Sequence, residues 1–489
     1  MVVVLLGSAL ALASCATRVP QVLTPQIVPK TFIPQAAEST PVWPRADWWH
    51  DFGSLELSQL IEEAQAANRD LAAAAARIMQ SQAQTLIARS ALFPQLSLQA
   101  QAERFNTGAT ASAGTTGSTA TTTSTSSSDI GTSPSDSTGN AFGLGVGATY
   151  ELDVWGLARA NLRAAQEGLK STRFARQALA LNITANVADG YFGVLAFREQ
   201  IAIANEDITA INGILGLIKL RVSTGTSSHL DLAQEQAQVE SEEAQLPVLE
   251  EGELEARVAL AVLVGRPPEV FEVKAQNAEG IRLPAVAPGI PSALLLRRPD
   301  VAEAEANLAS AHANLDAARL AFLPRFSLTG TAGFTSTTLS VLLRGPSFVW
   351  DAGANLVQTI FDGTLIGQKN LADAMQKQLV ANYESAVLNA YADVESALGQ
   401  VRNNAEAEIH LRREVDAARE AFGIAQLQYK EGATDLLAVL QAQQTLFAAR
   451  DQLLQMQLAR MQAVVHLFEA LGGGWTERPK DRTQLSPVG

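Results

Sequence analysis

Four long stretches of the chain carry apolar residues at a spacing of three and four, which is the period of an amphipathic helix. They form two consecutive pairs: 157–222 with 228–264, and 364–431 with 435–471. A glycine separates the members of each pair, Gly225 in the first and Gly432 in the second. The pattern therefore predicts two helical hairpins, and at 1.5 Å per residue the first helix of each would be about 100 Å long.

Four shorter segments alternate between apolar and polar residues, which is the period of a strand. These segments are 95–105, 141–152, 325–335 and 347–360. In the first, Leu96 and Leu98 point to one face and Ser97 and Gln99 to the other. About ten alternating residues is the length of a transmembrane β-strand, although a half-buried hairpin of a soluble sheet shows the same alternation. The predicted fold is mainly α, with four candidate membrane strands.

The chain contains the same arrangement twice. The segment 88–98 recurs at 318–328, so that Pro94 matches Pro324 at an offset of 230 (324 − 94). Farther on, Gly225 matches Gly432 at an offset of 207 (432 − 225). The first copy is therefore longer by 23 residues (230 − 207), and the surplus falls in 106–140, which consists almost wholly of Thr, Ser, Gly and Ala. Such a segment buries too little apolar surface to offset its ordering entropy, so we expect a solvent-facing loop.

The repeats predict the following organisation of the chain. A signal peptide at 1–14 precedes an N-terminal segment at 15–53, repeat 1 at 54–265, a connector at 266–298, repeat 2 at 299–472 and a tail at 473–489. Each repeat begins with a helix at 54–92 or 299–322, continues with a β-hairpin at 95–152 or 325–360, and ends with a long helical hairpin at 157–264 or 364–471.

The first fourteen residues are apolar and too few to span a bilayer. They end in Leu-Ala-Ser before Cys15, which resembles the signal of a bacterial lipoprotein. Cys15 is then the predicted lipidation site. The apolar run lacks the basic residues with which export signals normally begin.

Composition excludes several classes of function. A net charge of −14 argues against a nucleic-acid partner. The single cysteine and five scattered histidines give no metal-ligand spacing, and no nucleophile with a neighbouring base stands out. We therefore expect no enzyme activity, no cofactor and no metal.

Four strands cannot close a barrel, and an open strand edge inside lipid leaves backbone groups without hydrogen bonds. If the strands span a membrane, their edges must pair with other copies of the chain. Two copies would give eight strands and three would give twelve, which can leave an aqueous bore. Composition alone does not choose between two and three.

Several motifs that follow one another along the chain resemble those of the TolC-like outer-membrane efflux proteins, most closely those of the lipoprotein branch. They are Cys15 with its preceding residues, the junctions at Pro94 and Pro324, 297–305, 152–156, 360–363, 429–432 and 470–475. The resemblance implies a homotrimer with a twelve-stranded barrel in the outer membrane and a periplasmic barrel of helices. It also implies a periplasmic adaptor protein and an inner-membrane RND-type pump as partners, with the protein both lipid-anchored and spanning.

The resemblance also places candidate site residues at the tips of the hairpins. Candidates for adaptor contact are Gly225, Thr226, Ser227, Gly432, Ala433 and Thr434. Candidates for a periplasmic gate are Asp231, Tyr429, Leu437 and Gln441. Asp231 and Tyr429 match positions that hydrogen-bond across helices in the archetype, and Leu437 matches a position that forms an apolar ring. The family's acidic pore positions are Ala438 and Gln441 here, which argues against a cation-filtering ring.

The leading hypothesis is a passive outer-membrane channel for small molecules in a tripartite efflux pump. The same architecture also serves type I protein secretion, although the lipoprotein signal favours efflux. A secreted coiled-coil structural protein is a third reading, and it predicts no membrane strands.

Overall fold

The computed structural model describes residues 43–107, 137–284 and 294–475. The predicted signal peptide, Cys15, most of the loop at 106–140 and the tail beyond 475 lie outside these residues.

Seven α-helices and four strands are present in the described chain. In order they are α1 (Leu55–Ala67), α2 (Arg69–Ser90), β1 (Gln95–Thr107), β2 (Ser137–Leu152), α3 (Leu157–Ser223), α4 (His229–Val264), α5 (Pro299–Leu320), β3 (Arg325–Ser336), β4 (Phe348–Val357), α6 (Gly363–Lys430) and α7 (Leu436–Ala470). The prediction of a mainly helical chain with four strands, arranged twice, is confirmed.

The first predicted helix, 54–92, is wrong in one respect, because it is two helices separated at Asn68. Asn68 has an extended backbone (ψ 133°) and ends α1. Its side-chain oxygen accepts from the backbone N–H of Asp70 at 2.9 Å, which starts α2 as an N-cap. Its amide nitrogen donates to the carbonyl of Leu263 at 2.8 Å, so the break also ties α1 to the end of α4.

The four strands form one antiparallel sheet in the order β1-β2-β3-β4. The pairing of β2 with β3 joins the two copies of the repeat, from Phe142 opposite Ser336 to Leu152 opposite Phe326. Within the described residues, β1 and β4 each keep one edge without a partner strand. The sheet is therefore open at both sides in a single chain.

The register gives the sheet one apolar and one polar face. One row of paired residues runs Leu98, Val146, Ala332 and Trp350, and the next row runs Ser97, Gly147, Thr331 and Asp351. Side chains of adjacent rows point to opposite faces. Trp350 is 71% exposed and Leu98 is 74% exposed, although both are apolar. An exposed apolar face opposite a polar one is the pattern of a strand between lipid and a water-filled bore.

The described chain forms two compact units. One comprises Gln80–Leu169 and Leu308–Gln378 and contains the sheet; the other comprises the remaining residues and contains both helical tips. The core of the second unit centres on an aromatic cluster in which Trp48 stacks on Phe468 at 4.9 Å between ring centroids. Phe52 and Phe192 pack beside them, so residues before the first repeat help to hold both copies together.

Arg298 fixes the start of the second copy within the same unit. Its guanidinium donates to Asp300 at 2.7 Å and to Asp393 at 2.9 Å, and it also reaches the carbonyl of Ala470 at 3.2 Å. A buried guanidinium needs several acceptors, and these three supply them. Arg298 thus holds the start of α5 against α6 and the end of α7.

Candidate functional site at the helical tips

The helices of each hairpin are joined by a tight turn around a glycine. Gly225 has a φ of +77° and Gly432 a φ of +74°, which side chains with a Cβ adopt at a steric cost. In the first turn the N–H of Thr226 donates to the carbonyl of Arg221 at 2.8 Å, and in the second the N–H of Ala433 donates to that of Gln428 at 2.8 Å. The two copies therefore end in the same backbone geometry.

Asp231 lies in the first turn of α4 and forms its cap. Its backbone N–H donates to the Ser228 hydroxyl at 3.0 Å, and its carboxylate accepts from the Ser228 N–H at 3.1 Å, which is a capping box. The Ser227 hydroxyl also donates to the carboxylate at 2.6 Å. These hydrogen bonds, that of Ser227 above all, lower the pKa of Asp231 below its ordinary value. In one chain, Asp231 is therefore a helix-capping residue.

Tyr429, near the end of α6, is held by a residue of the other hairpin. Its ring is 4% exposed, and the Arg221 guanidinium lies 4.5 Å from the ring centroid. Arg221 Nη2 donates to the carbonyls of Tyr429 and Lys430, both at 2.8 Å. These are among the last carbonyls of α6, which have no partner inside the helix. Arg221 thus caps α6 from α3 and connects the two tips of one chain.

Tyr429 and Asp231 do not meet within one chain. The Tyr429 hydroxyl is buried and has no hydrogen-bond partner in the described residues. The carboxylate of Asp231 is occupied by Ser227 and Ser228. Sequence reasoning missed Arg221 as the linking residue. The available signal was a basic residue in the last turn of α3, where it can reach helix-terminal carbonyls.

Leu437 and Gln441 lie one turn apart on one exposed face of α7. Leu437 is 55% exposed, whereas its neighbour Leu436 is buried beside Tyr429. Asp435 accepts from the N–H of Ala438 at 3.1 Å and is the N-cap of α7, the position that Ser228 holds in α4. The exposed side chain of Leu437 is available for contact with another chain, and a ring formed by one leucine from each of several copies requires such contacts.

The predicted adaptor-contact residues lie at the outermost part of the two turns. Gly225, Thr226, Gly432 and Ala433 are exposed, and Ser227 and Thr434 are half-buried. In the part of the chain that the structure describes, no group of three His, Cys, Asp or Glu residues could hold a metal ion.

The model of the family "Outer membrane efflux protein" matches residues 60–266 and 290–473. The two matched segments correspond to the two copies seen in the sequence and in the fold.

Individual relatives match over nearly the full length. The chain is 36% identical to the pyoverdine export outer membrane protein OpmQ of Pseudomonas putida over 475 residues, covering 96% of this chain and 97% of the relative. It is 30% identical to the cation efflux system protein CusC of Escherichia coli O6:H1 over 438 residues, covering 88% and 89%. The solved structure of the outer-membrane channel OprN matches 92% of this chain and 98% of its own, with a TM-score of 0.80 and 26% identity.

Proposed function

Because the chain belongs to the outer membrane efflux protein family and is an outer-membrane efflux channel rather than an enzyme, we propose that three copies form the exit duct of a pump exporting small organic molecules. Family members form trimeric channels that work with adaptors and inner-membrane pumps. The duct itself is passive, and the partners supply the energy.

The open sheet supports the trimer. The apolar face needs lipid, the polar face needs water, and the free edges of β1 and β4 need strands to pair with. Three copies of a four-stranded sheet give twelve strands, which is an even number sufficient to leave a bore. Two copies would give eight, and side chains would then fill the interior.

The observation that carries the substrate class is the 36% identity to the pyoverdine exporter across 96% of this chain. We expect the exported molecule to be pyoverdine or a molecule of similar size and chemistry. The test is to express this chain in a Pseudomonas putida strain that lacks its own OpmQ and to measure pyoverdine in the medium and in the periplasm.

Restored pyoverdine in the medium, with a lower periplasmic pool, would support this substrate class. The chain would be assigned to cation efflux instead if the pyoverdine concentration in the medium stayed unchanged and the chain restored tolerance to metal cations in a strain that lacks CusC. A role in type I secretion would change the set of secreted proteins and restore neither pyoverdine export nor cation tolerance.

The periplasmic gate is proposed at the helical tips, with Leu437 as its apolar ring. Three exposed leucines brought together around an axis would exclude water from a narrow bore. Leu437→Ala should therefore raise single-channel conductance in planar bilayers. Leu371→Ala is the matched control, because Leu371 on α6 is also an exposed leucine and lies far along the helix from the tip. Equal conductance of Leu437→Ala and wild type would remove Leu437 from the gate.

A further inference from the structure

A carboxyl group is buried without a partner near the tip of the first hairpin. Glu235 on α4 has 0% exposure, and neither of its carboxyl oxygens has a hydrogen-bond partner among the described residues. This burial arises within a single chain, so assembly with other copies cannot reduce it. A buried ionised carboxylate without a partner is very costly, and such a group takes up a proton instead.

A second unpaired polar side chain lies at the same height in the other hairpin. Gln443 on α7 also has 0% exposure, and neither its oxygen nor its nitrogen has a partner in the described part of the chain. Glu235 lies ten residues after Gly225, and Gln443 eleven residues after Gly432. The helices α4 and α7 are neighbours here, since Gln444 Nε2 donates to Gln238 Oε1 at 3.4 Å.

Apolar residues flank both positions along their helices. On α4, Leu232 and Val239 pack against Ile211 and Leu215 of α3, and Glu235 lies between them on the same face. On α7, Val439 and Leu446 are buried in two hydrophobic clusters, and Gln443 lies between them. Glu235 and Gln443 are thus buried polar positions in the otherwise apolar packing between α3, α4 and α7, which we call the joint.

We propose that Glu235 is a proton-binding site in the joint between the two hairpins, and that loss of the proton loosens the packing beneath the tips. A protonated carboxyl is neutral and keeps an O–H donor, so it can stay in an apolar layer at a lower cost than the carboxylate. Ionisation removes that donor and leaves a charge in an apolar layer.

The charged groups on the surrounding helices do not neutralise Glu235. They include Glu206, Asp207, Lys219 and Arg221 on α3, Asp231, Glu240 and Glu242 on α4, Arg419, Glu420 and Lys430 on α6, and Asp435 and Arg450 on α7. Arg450 is taken by Asp207 at 2.6 Å, and Arg221 by the carbonyls that end α6. Burial alone raises the pKa of Glu235 to about 7, from an ordinary value of 4.5.

The sign of the pH effect follows from the raised pKa. The unfolded joint ionises from pH 4.5 upward, whereas the packed joint keeps its proton to about pH 7. The packing is therefore most stable at low pH and weakens as pH rises through that window. Between pH 6 and pH 8.5 the linkage relation gives a change of roughly tenfold in the opening equilibrium.

Hydrogen exchange in the full-length protein in detergent tests the proposal. The amides of 229–240 and 436–446 are followed at pH 6 and pH 8.5, and each rate is corrected for the intrinsic rate at that pH. In the wild type, protection of both segments should fall roughly tenfold between the two pH values. In Glu235→Gln the part of the fall that Glu235 causes should disappear, and any small remainder would come from Asp207, whose pKa burial raises to about 6, and from Glu242, whose pKa burial also raises.

Two further variants sharpen the result. Glu240→Gln changes an exposed carboxylate on the same helix and should keep the wild-type fall. Glu235→Leu continues the apolar pattern of Leu232 and Val239, and it should also abolish the fall. A tenfold fall that persists in Glu235→Gln or in Glu235→Leu would overturn the proposal.

The consequence for transport rests on the proposed function. If loosening of the joint opens the tips, single-channel conductance should rise with pH in the wild type and stay constant in Glu235→Gln. A pH-dependent exchange without any conductance would contradict the channel and leave the proton site standing. Conductance with pH-independent exchange would contradict the proton site alone.

Discussion

Arg221 is the residue on which the connection between the two tips depends. Its guanidinium stacks on the Tyr429 ring and caps the last carbonyls of α6. Hydrogen bonds from a charged donor contribute about 1.5–3 kcal/mol each when the alternative is an unpaired buried acceptor. Partial solvent exposure lowers that figure here, and about 2 kcal/mol for both bonds together is a reasonable scale.

Arg221→Met keeps much of the length of the side chain and removes both donors. We expect faster amide exchange at 425–431 and higher single-channel conductance, because the tips of one chain are no longer tied together. Lys219→Met, at an exposed position on the same helix, is the control. Conductance that rises equally in both variants would show that charge rather than the Arg221 contacts matters.

Asp231 and Asp435 provide an internal comparison, since both cap the second helix of their hairpin. Replacing either with Ala should cost about 1 kcal/mol of local helix stability, seen as faster exchange in the first turn of α4 or α7. If Asp231 also belongs to the gate, only Asp231→Ala should raise conductance. The pKa of Asp231 is lowered, so its capping contribution is present above pH 3.8 and is lost as the pH falls below that value. Matching conductance changes in the two variants would leave Asp231 with capping alone.

At the scale of elements, the sheet depends on a close approach between β2 and β3. Gly333 lies opposite Gly145, and a Cβ at Gly333 would come within 2.5 Å of the Gly145 Cα and of the Leu144 carbonyl oxygen. Both of those atoms belong to the backbone, so they cannot move aside as a flexible side chain would. The strand pair that joins the two copies therefore requires glycine there.

Gly333→Ala should destabilise the sheet by about 1–3 kcal/mol, which is the usual cost of overpacking. The expected observation is a lower thermal midpoint of the detergent-solubilised protein and less folded protein in the outer membrane. Gly330→Ala is the control on the same strand, because its Cβ would lie 3.6 Å from the nearest atom, an ordinary contact distance. Equal midpoints for the two variants would contradict the close approach.

The elements were predictable where one local signal determined them. The glycines at 225 and 432 predicted the bounds of the long helices to within about one residue, and Pro299 marked the first residue of α5. The strand at 347–360 was predicted too long at both ends, since 3-10 geometry occupies Gly345–Ser347 and β4 ends at Val357. The break at Asn68 was missed because a capping asparagine inside a helical pattern has no distinctive spacing.

The tip contacts were harder to predict because they join distant parts of the chain. Arg221 meets carbonyls about two hundred residues away, at 429 and 430, and nothing in its own surroundings identifies them. Glu235 was missed because a glutamate in a helix is normally solvated, and nothing in the nearby sequence indicates that it is buried. Only the packing of α3, α4 and α7 around it buries it completely.

At the scale of the whole molecule, the free edges of β1 and β4 decide how the chain can assemble in a membrane. A membrane sheet with open edges leaves backbone N–H and C=O groups unpaired in hydrocarbon, at several kcal/mol for each group. Pairing β4 of one copy with β1 of the next satisfies both edges at once, and three copies close a twelve-stranded wall.

Native mass spectrometry of the protein extracted from outer membranes in mild detergent measures the number of copies directly. If the strand edges pair between three copies, a single assembly should appear near three times the mass of the mature chain, and the full sequence has a mass of 51.8 kDa. A stable single chain or a closed pair, folded and carrying the same strands, would contradict this pairing.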